Sequence, residues 1–313
     1  MTFHEPSNPL ARSSNRLAVF LHPWGRAGGN SSDPVLLSLV TTFIERDWHI
    51  ILYNSRGVGH SGGSVSFTAI AESQDLRDVV QYALKEIEQV TEILLLGYSF
   101  GTLPVTMHPL RLPFSPHISP DLTIRHVLLS YPLSVLWFLT FFHSGTYANA
   151  LKQLLGDPGS DVLVIHGDAD QFTKYSKYEA WVEELKRIKD VQFDASDPCS
   201  PSPKEIDSTT SGHLRTPSSS SIGSVAQSIT SSGSGTIRNA RSSGGGRLTV
   251  YTVKGGDHLW RKPEHRKELR TVLAKWLDSR YAPLTPRSTV ARTGSVSRKT
   301  TIENFNGSSE TDV

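Results

Sequence analysis

The chain has 313 residues, of which 37% are hydrophobic, 20% charged and 9% aromatic, with 32 Lys and Arg against 30 Asp and Glu. A formal net charge of +2 gives no electrostatic argument for nucleic acid or for an anionic membrane surface. The single cysteine, Cys199, excludes a disulfide framework and a cysteine-based zinc or iron–sulfur site.

The opening residues, MTFHEPSNPLARSSN, lack the continuous apolar run of a secretory signal. The first strand is expected at Arg16–His22 (RLAVFLH), an apolar run followed by turn residues. Asp33 then reads as a helix N-cap with Pro34 at the first helical position, and Leu36, Leu39, Val40 and Phe43 recur at helical spacing. His49–Tyr53 reads as a second strand, and Leu76, Val79, Val80, Ala83, Leu84 and Ile87 line one face of a second helix. Further strands are expected at Ile93–Leu96, His126–Ser130, Asp161–His166 and Leu248–Val253, and further helices at Lys174–Lys189 and Glu264–Ser279. Strands that are apolar without alternation are buried on both faces. The fold class is therefore α/β: a mostly parallel central sheet with helices on both faces.

Composition shifts along the chain. Ser196–Gly246 is serine-rich, with Gly, Thr and Pro and few large apolar groups, and Leu284–Val313 is similar. Such segments bury too little surface to offset their conformational entropy, so a disordered insertion at about 196–246 and a disordered tail over 284–313 are expected. With residues 1–15 read as a flexible N-terminus, one domain remains, over 16–283. The apolar stretch Val127–Phe142 is broken by Pro132 and by serines, and is shorter than the roughly 20 residues that cross a bilayer. No membrane span is expected, and the cytoplasm is the default location.

The strand at Ile93–Leu96 runs straight into Gly97-Tyr98-Ser99-Phe100-Gly101. This is G-x-S-x-G where a nucleophile elbow belongs, at the sharp turn from a strand into a helix. The glycines allow strand and helix to pass closely around the serine. A serine hydroxyl needs a base, and the base an orienting carboxylate. In this architecture the order is Ser, then Asp or Glu, then His. The strand at Asp161–His166 leads to Gly167-Asp168-Ala169-Asp170, and the last strand leads to Gly255-Gly256-Asp257-His258. Both loops lie at the carboxyl ends of parallel strands, where open α/β sheets place their sites. Ser99 is assigned as nucleophile, His258 as general base and acid, and Asp170 as the orienting carboxylate. Asp168 competes with Asp170 but also suits turn hydrogen bonds, and Asp257 suits a turn-shaping role. An oxyanion hole needs two converging backbone N–H donors. Phe100, after the nucleophile, is one. In His22-Pro23-Trp24-Gly25 the other is Trp24, since proline has no N–H.

With these residues placed, the chain resembles the α/β-hydrolases, in their small, cap-poor serine hydrolase branch. The resemblance rests on HPWGRAGG with Asp33-Pro34, on Asn54-Ser55-Arg56-Gly57-Val58-Gly59-His60-Ser61-Gly62-Gly63, and on GYSFG, HGDAD and GGDHLW, in the family's order over roughly Leu17–Arg280. It implies hydrolysis of an ester, thioester or amide of a small-molecule acyl substrate through an acyl-enzyme, most simply as a carboxylesterase, with no cofactor or metal. Three departures stand out. The antiparallel strands before the first parallel strand are missing or shortened, Pro109 should end the helix behind the elbow early, and the serine-rich insertion separates the acid from the histidine.

Two rival readings stand beside this one. Gly57–Gly62 matches the dinucleotide fingerprint G-x-G-x-x-G, but no acid ends a strand about 20 residues on. A catalytically weak scaffold, regulated by kinases or partners through Arg215-Thr216-Pro217 and Arg298-Lys299-Thr300, would be expected to lose the serine or histidine. The apolar segment Tyr131–Phe142 is either an acyl pocket or small lid, or a core helix packed on the sheet.

Overall fold

The computed structural model describes residues 1–5, 15–87, 89–113, 117–195, 236–241 and 246–279. Its centre is an eight-stranded sheet of order β1-β3-β2-β4-β5-β6-β8-β7. The strands are β1 (Thr2–His4), β2 (Arg16–Leu21), β3 (His49–Leu52), β4 (Val90–Tyr98), β5 (Ile118–Leu129), β6 (Asp161–Gly167), β7 (Thr236–Arg241) and β8 (Arg247–Val253). The run from β3 through β2, β4, β5 and β6 to β8 is parallel throughout. Only the two edges are antiparallel, β1 on β3 and β7 on β8.

The double burial read from the apolar strands holds. In β4, Ile93 and Leu95 enter one hydrophobic cluster while Leu94 and Leu96 enter the other, because successive strand residues point to opposite faces. Helices α1 (Pro34–Ile44) and α7 (Pro263–Asp278) pack together on one face. The other face is covered by α2 (Ile70–Glu86), α3 (Thr102–Thr106), α5 (Ser144–Gly156) and α6 (Tyr175–Ala195), with the single-turn α4 (Leu136–Leu139) before α5. The α1 start is as expected. Asp33 Oδ1 accepts from the N–H groups of Val35, at 2.8 Å, and Leu36, at 3.3 Å, and Pro34 opens the helix.

Several expectations change. Residues 2–4, within the segment expected to be flexible, form an edge strand with Phe3 opposite Ile51, so the antiparallel entry is shortened to one three-residue strand. Residues 236–241, inside the segment expected to be disordered, pair along β8. The rest of the serine-rich insertion and the 284–313 tail lie outside the described residues. Helix α3 ends at Thr106, before Pro109, since the ring at 109 has no N–H to continue the ladder. The segment Tyr131–Phe142 is no core helix: its helical part spans four residues, and Trp137, Phe138, Phe141 and Phe142 are exposed.

No helix among the described residues is long and apolar enough to cross a membrane, and none of those residues group as three or more candidate metal ligands.

Candidate active site

The chain order reverses around β2: β3 lies to one side through α1, and β4 to the other through α2. Loops at the carboxyl edge diverge at such a switch point and leave a crevice. Ser99 stands there, at the end of β4, with a φ of +53°. A left-handed serine is strained, and the surrounding packing holds it so. A Cβ on Gly97 would lie 2.3 Å from the carbonyl oxygen of Gly101, and one on Gly101 would lie 2.5 Å from that of Leu21. The two glycines are therefore demanded by the approach of α3 to β4 and β2.

Three side chains remote in sequence meet at this point. Ser99 Oγ lies 2.8 Å from Nε2 of His258, and Nδ1 of His258 lies 2.7 Å from Oδ2 of Asp170. All three residues are buried. Asp170 is fixed by its own loop, its Oδ1 accepting the N–H groups of Phe172, at 2.8 Å, and Thr173, at 2.9 Å. With one oxygen taken by backbone donors, the other faces the imidazole. His258 is held along its backbone as well: its N–H donates to Gln171 Oε1 at 3.0 Å, and its carbonyl accepts the Tyr98 hydroxyl at 2.8 Å.

The competing acids have other partners. Asp168 accepts from the Gly255 N–H and so ties the two carboxyl-edge loops together. Asp257 pairs with Arg261 and accepts its N–H at 3.0 Å, which closes the turn into α7. The Arg261 partner holds the Asp257 carboxyl below its ordinary range, against the upward push of burial, which is the largest single influence on it.

The loop carrying Trp24 folds as a 3-10 turn at Gly25–Ala27, with the Trp24 carbonyl accepting from Ala27 and Gly29. Its indole lies 6.5 Å from the Phe100 ring, so the two loops carrying the expected oxyanion donors are neighbours. His22 anchors this loop. Its Nε2 accepts the Ser55 N–H at 3.0 Å, which makes Nδ1, 2.5 Å from the Pro23 carbonyl, the protonated nitrogen. Burial pushes its pKa down, which favours that neutral form.

The third wall is the loop from β3 to α2. Arg56 makes two bonds to Asp75, and the buried Glu72 accepts the Ser66 N–H at 2.7 Å and the Ser66 hydroxyl. The glycines of the apparent dinucleotide fingerprint serve this turn: Gly57 and Gly59 both have positive φ.

Tyr98, Gln171 and Phe172 were not singled out from the sequence. Phe172 lies edge-on to His258, with ring centres 4.5 Å apart. No periodicity marks them, since each acts through a loop whose path is set by packing. The one available signal was adjacency, because Tyr98 sits inside the pentapeptide and Gln171 and Phe172 follow Asp170 directly.

The chain matches no protein-family model and, by sequence, no curated protein. Solved structures do resemble it. A protein of unknown function from Agrobacterium tumefaciens superposes with a TM-score of 0.54 at 17% identity, covering 90% of each chain. A serine hydrolase described as lacking a lid, from Xanthomonas campestris, gives 0.52 at 17% identity over 91% of this chain and 89% of its own. A serine hydrolase homologue from Coxiella burnetii gives 0.51 at 16%, over 88% and 89%. At these identities the likeness is one of fold.

Proposed function

We propose that the chain, which has the α/β-hydrolase fold, is a serine hydrolase that cleaves an ester, thioester or amide through an acyl-enzyme, with carboxylesterase chemistry as the simplest case. The observation that carries this reading is the continuous relay from Ser99 Oγ through His258 to Asp170, with contacts of 2.8 and 2.7 Å. Nucleophile, base and orienter stand within hydrogen-bond reach in the required sequence.

The chemistry follows from the geometry. Ser99 Oγ attacks the substrate carbonyl carbon as His258 Nε2 takes its proton. The resulting oxyanion is received by the N–H groups of Trp24 and Phe100. Asp170 keeps the proton on Nδ1 and stabilises the imidazolium once it forms. Collapse expels the alcohol, thiol or amine, which takes the proton from Nε2. A water then gives a proton to His258, attacks the acyl carbon and releases the acid, and Ser99 recovers its proton. Nucleophile, base, orienter and oxyanion donors in these steps are all residues of this chain.

Support for a small, openly reached substrate comes from the brevity of α4, the sole helix between β5 and α5, and from the fold neighbour described as lacking a lid. The test is labelling of the purified protein by a fluorophosphonate, beside Ser99→Ala and His258→Ala. The expected result is labelling of the parent chain alone. A well-folded parent chain that takes no label overturns the reading.

A further inference from the structure

Among the described residues, twelve large apolar side chains are exposed, and seven of these stand on the carboxyl-edge connections around Ser99. They are not scattered. Ring contacts run from Phe67 to Phe141 (6.2 Å), Phe142 (5.8 Å), Trp137 (5.5 Å) and Phe138 (6.0 Å), then to Trp24 (5.7 Å), which lies against Phe100 beside the nucleophile. Across the mouth, Phe172 and Leu259, 45% and 49% exposed, flank His258. Phe142 at 72% and Phe141 at 60% are the most open, and Phe138, Phe67 and Trp137 are each more than half exposed.

Two of them are also strained. Phe141 and Phe142 hold φ values of +45° and +68°, a region that bulky side chains rarely adopt. The Phe142 N–H donates to the Trp137 carbonyl at 2.7 Å, so the turn is well made. Asn or Gly would make the same turn with less strain, and packing gains nothing from rings left in water. Such outliers gather at functional surfaces.

Charge is sorted on the same edge. The connections from β2, β3, β5, β6 and β8 carry the cations Arg26, Lys174, Lys254 and Lys262, besides Arg56 and Arg261, which are paired with Asp75 and Asp257. Their acids are Asp33, Asp168, Asp170 and Asp257, and each is turned onto a partner within the protein. The connection from β5 to α5, which bears most of the aromatic rim, has no acid. The near-neutral charge of the whole chain conceals this bias. The Arg26 guanidinium lies 4.0 Å over the Phe67 ring, so cation and aromatic edge adjoin.

We infer that this aromatic rim and the cations around it seat the open site on the surface of an anionic lipid bilayer, where Ser99 takes its acyl ester from a membrane lipid. Aromatic side chains settle at the headgroup level, and exposed lysines and arginines add attraction to anionic headgroups. Seated this way, the crevice opens onto the bilayer and an acyl ester reaches Ser99 without crossing water. The substrate half of the inference rests on the hydrolase reading, whereas the docking half does not.

The test is flotation of the full chain with vesicles of phosphatidylcholine alone and of phosphatidylcholine mixed with phosphatidylserine. The parent chain and Ser99→Ala should float alike, more with the mixed vesicles, and less as salt rises. The triple variant Trp137→Ser, Phe141→Asn, Phe142→Asn should lose about two to three orders of magnitude in partitioning, roughly tenfold per aromatic removed. It should keep its circular dichroism and its turnover of a short soluble acetate ester. Lys174→Glu with Lys262→Glu should remove the preference for phosphatidylserine. Equal flotation of Ser99→Ala and the triple variant overturns the docking surface, as does a dimer that the triple variant abolishes in the absence of vesicle binding. Flotation without turnover of a vesicle-borne ester, in a chain that takes the fluorophosphonate, overturns the substrate half alone. Flotation of a chain that takes no fluorophosphonate overturns the hydrolase reading and leaves the docking surface standing.

Discussion

Tyr98 is buried, and its hydroxyl donates at 2.8 Å to the carbonyl of His258, 160 positions away in sequence. It thus fixes the backbone of the proposed base from within the elbow that carries the proposed nucleophile. Burial drives the phenol's pKa well up, so the group stays a donor at any working pH. Tyr98→Phe leaves the His258 carbonyl unpaired, which should cost about 1–3 kcal/mol in urea unfolding. It should slow fluorophosphonate labelling further than the lost stability explains, because the imidazole loses its backbone anchor. Gly97→Ala tests the elbow from the steric side. With the Gly101 carbonyl oxygen 2.3 Å from the new methyl, α3 must move away from β4. Overpacking of this kind destabilises by roughly 1–3 kcal/mol, and labelling should be lost in protein that still folds. The serine-flanking glycines were legible as a motif, but the Tyr98 bond was not, since nothing local ties residue 98 to residue 258.

At the scale of elements, β5 is pinned to its neighbours by a charge cluster near the amino ends of β4, β6 and β8. Arg125 on β5, fully buried, donates to Glu92 on β4 at 3.1 Å and to Asp161 on β6 at 2.9 Å. Its guanidinium also lies 3.7 Å over the Trp276 ring of α7. Arg247 on β8 makes two further bonds to Asp161. Arg125→Met would take from Glu92 the buried cation it pairs with, and removing one partner of such a buried pair typically costs about 3–5 kcal/mol. The urea midpoint should fall accordingly, and Glu92→Gln in the same chain should return part of the loss, while Arg247 keeps Asp161 paired. Soluble-ester turnover should be unchanged in the folded fraction, because the cluster and Ser99 lie at opposite ends of β4. The strands themselves were plain from their apolar runs. Helix α5 was missed because a segment with Thr, Asn and Gln between its apolar positions declares itself only once Tyr147, Leu151, Leu154 and Leu155 have a sheet to cover.

For the molecule as a whole, acid stability is set by histidines held neutral inside it. Desolvation is the main cause that pulls His108 down to about 4 and His126 to about 3, with the Arg77 charge lowering His108 further and the His108 charge lowering His126 further. In the unfolded chain both titrate near about 6.5. Between those values the unfolded chain binds protons that the folded chain refuses, so stability rises with pH across the window. It is fully present above about pH 6.5 and declines as pH falls towards 4, by several kcal/mol for the pair. Urea unfolding at intervals across that range should show the decline, and His126→Leu should flatten it. Asp257 and Asp278, whose carboxyls lie below their ordinary range beside Arg261 and Arg46, contribute stability that is lost only at lower pH.

The alternation of strand and helix, the parallel sheet buried on both faces and the elbow around Ser99 were readable from the sequence, because each depends on neighbours within a few positions. The order of the carboxyl-edge loops placed Asp170 and His258 beside the serine for the same reason: a parallel sheet brings the ends of all its strands to one edge. Only the tertiary structure shows that Asp170, the acid expected from the sequence, rather than Asp168 lies against the imidazole, held there by the Phe172 and Thr173 amides. It alone separated a core helix from an exposed aromatic rim at Trp137–Phe142, and it alone sorted a near-neutral chain into a basic edge. Local pattern fixes backbone form and average burial, whereas the partner a side chain finds across the fold depends on strand order and loop path, which no single stretch of sequence contains.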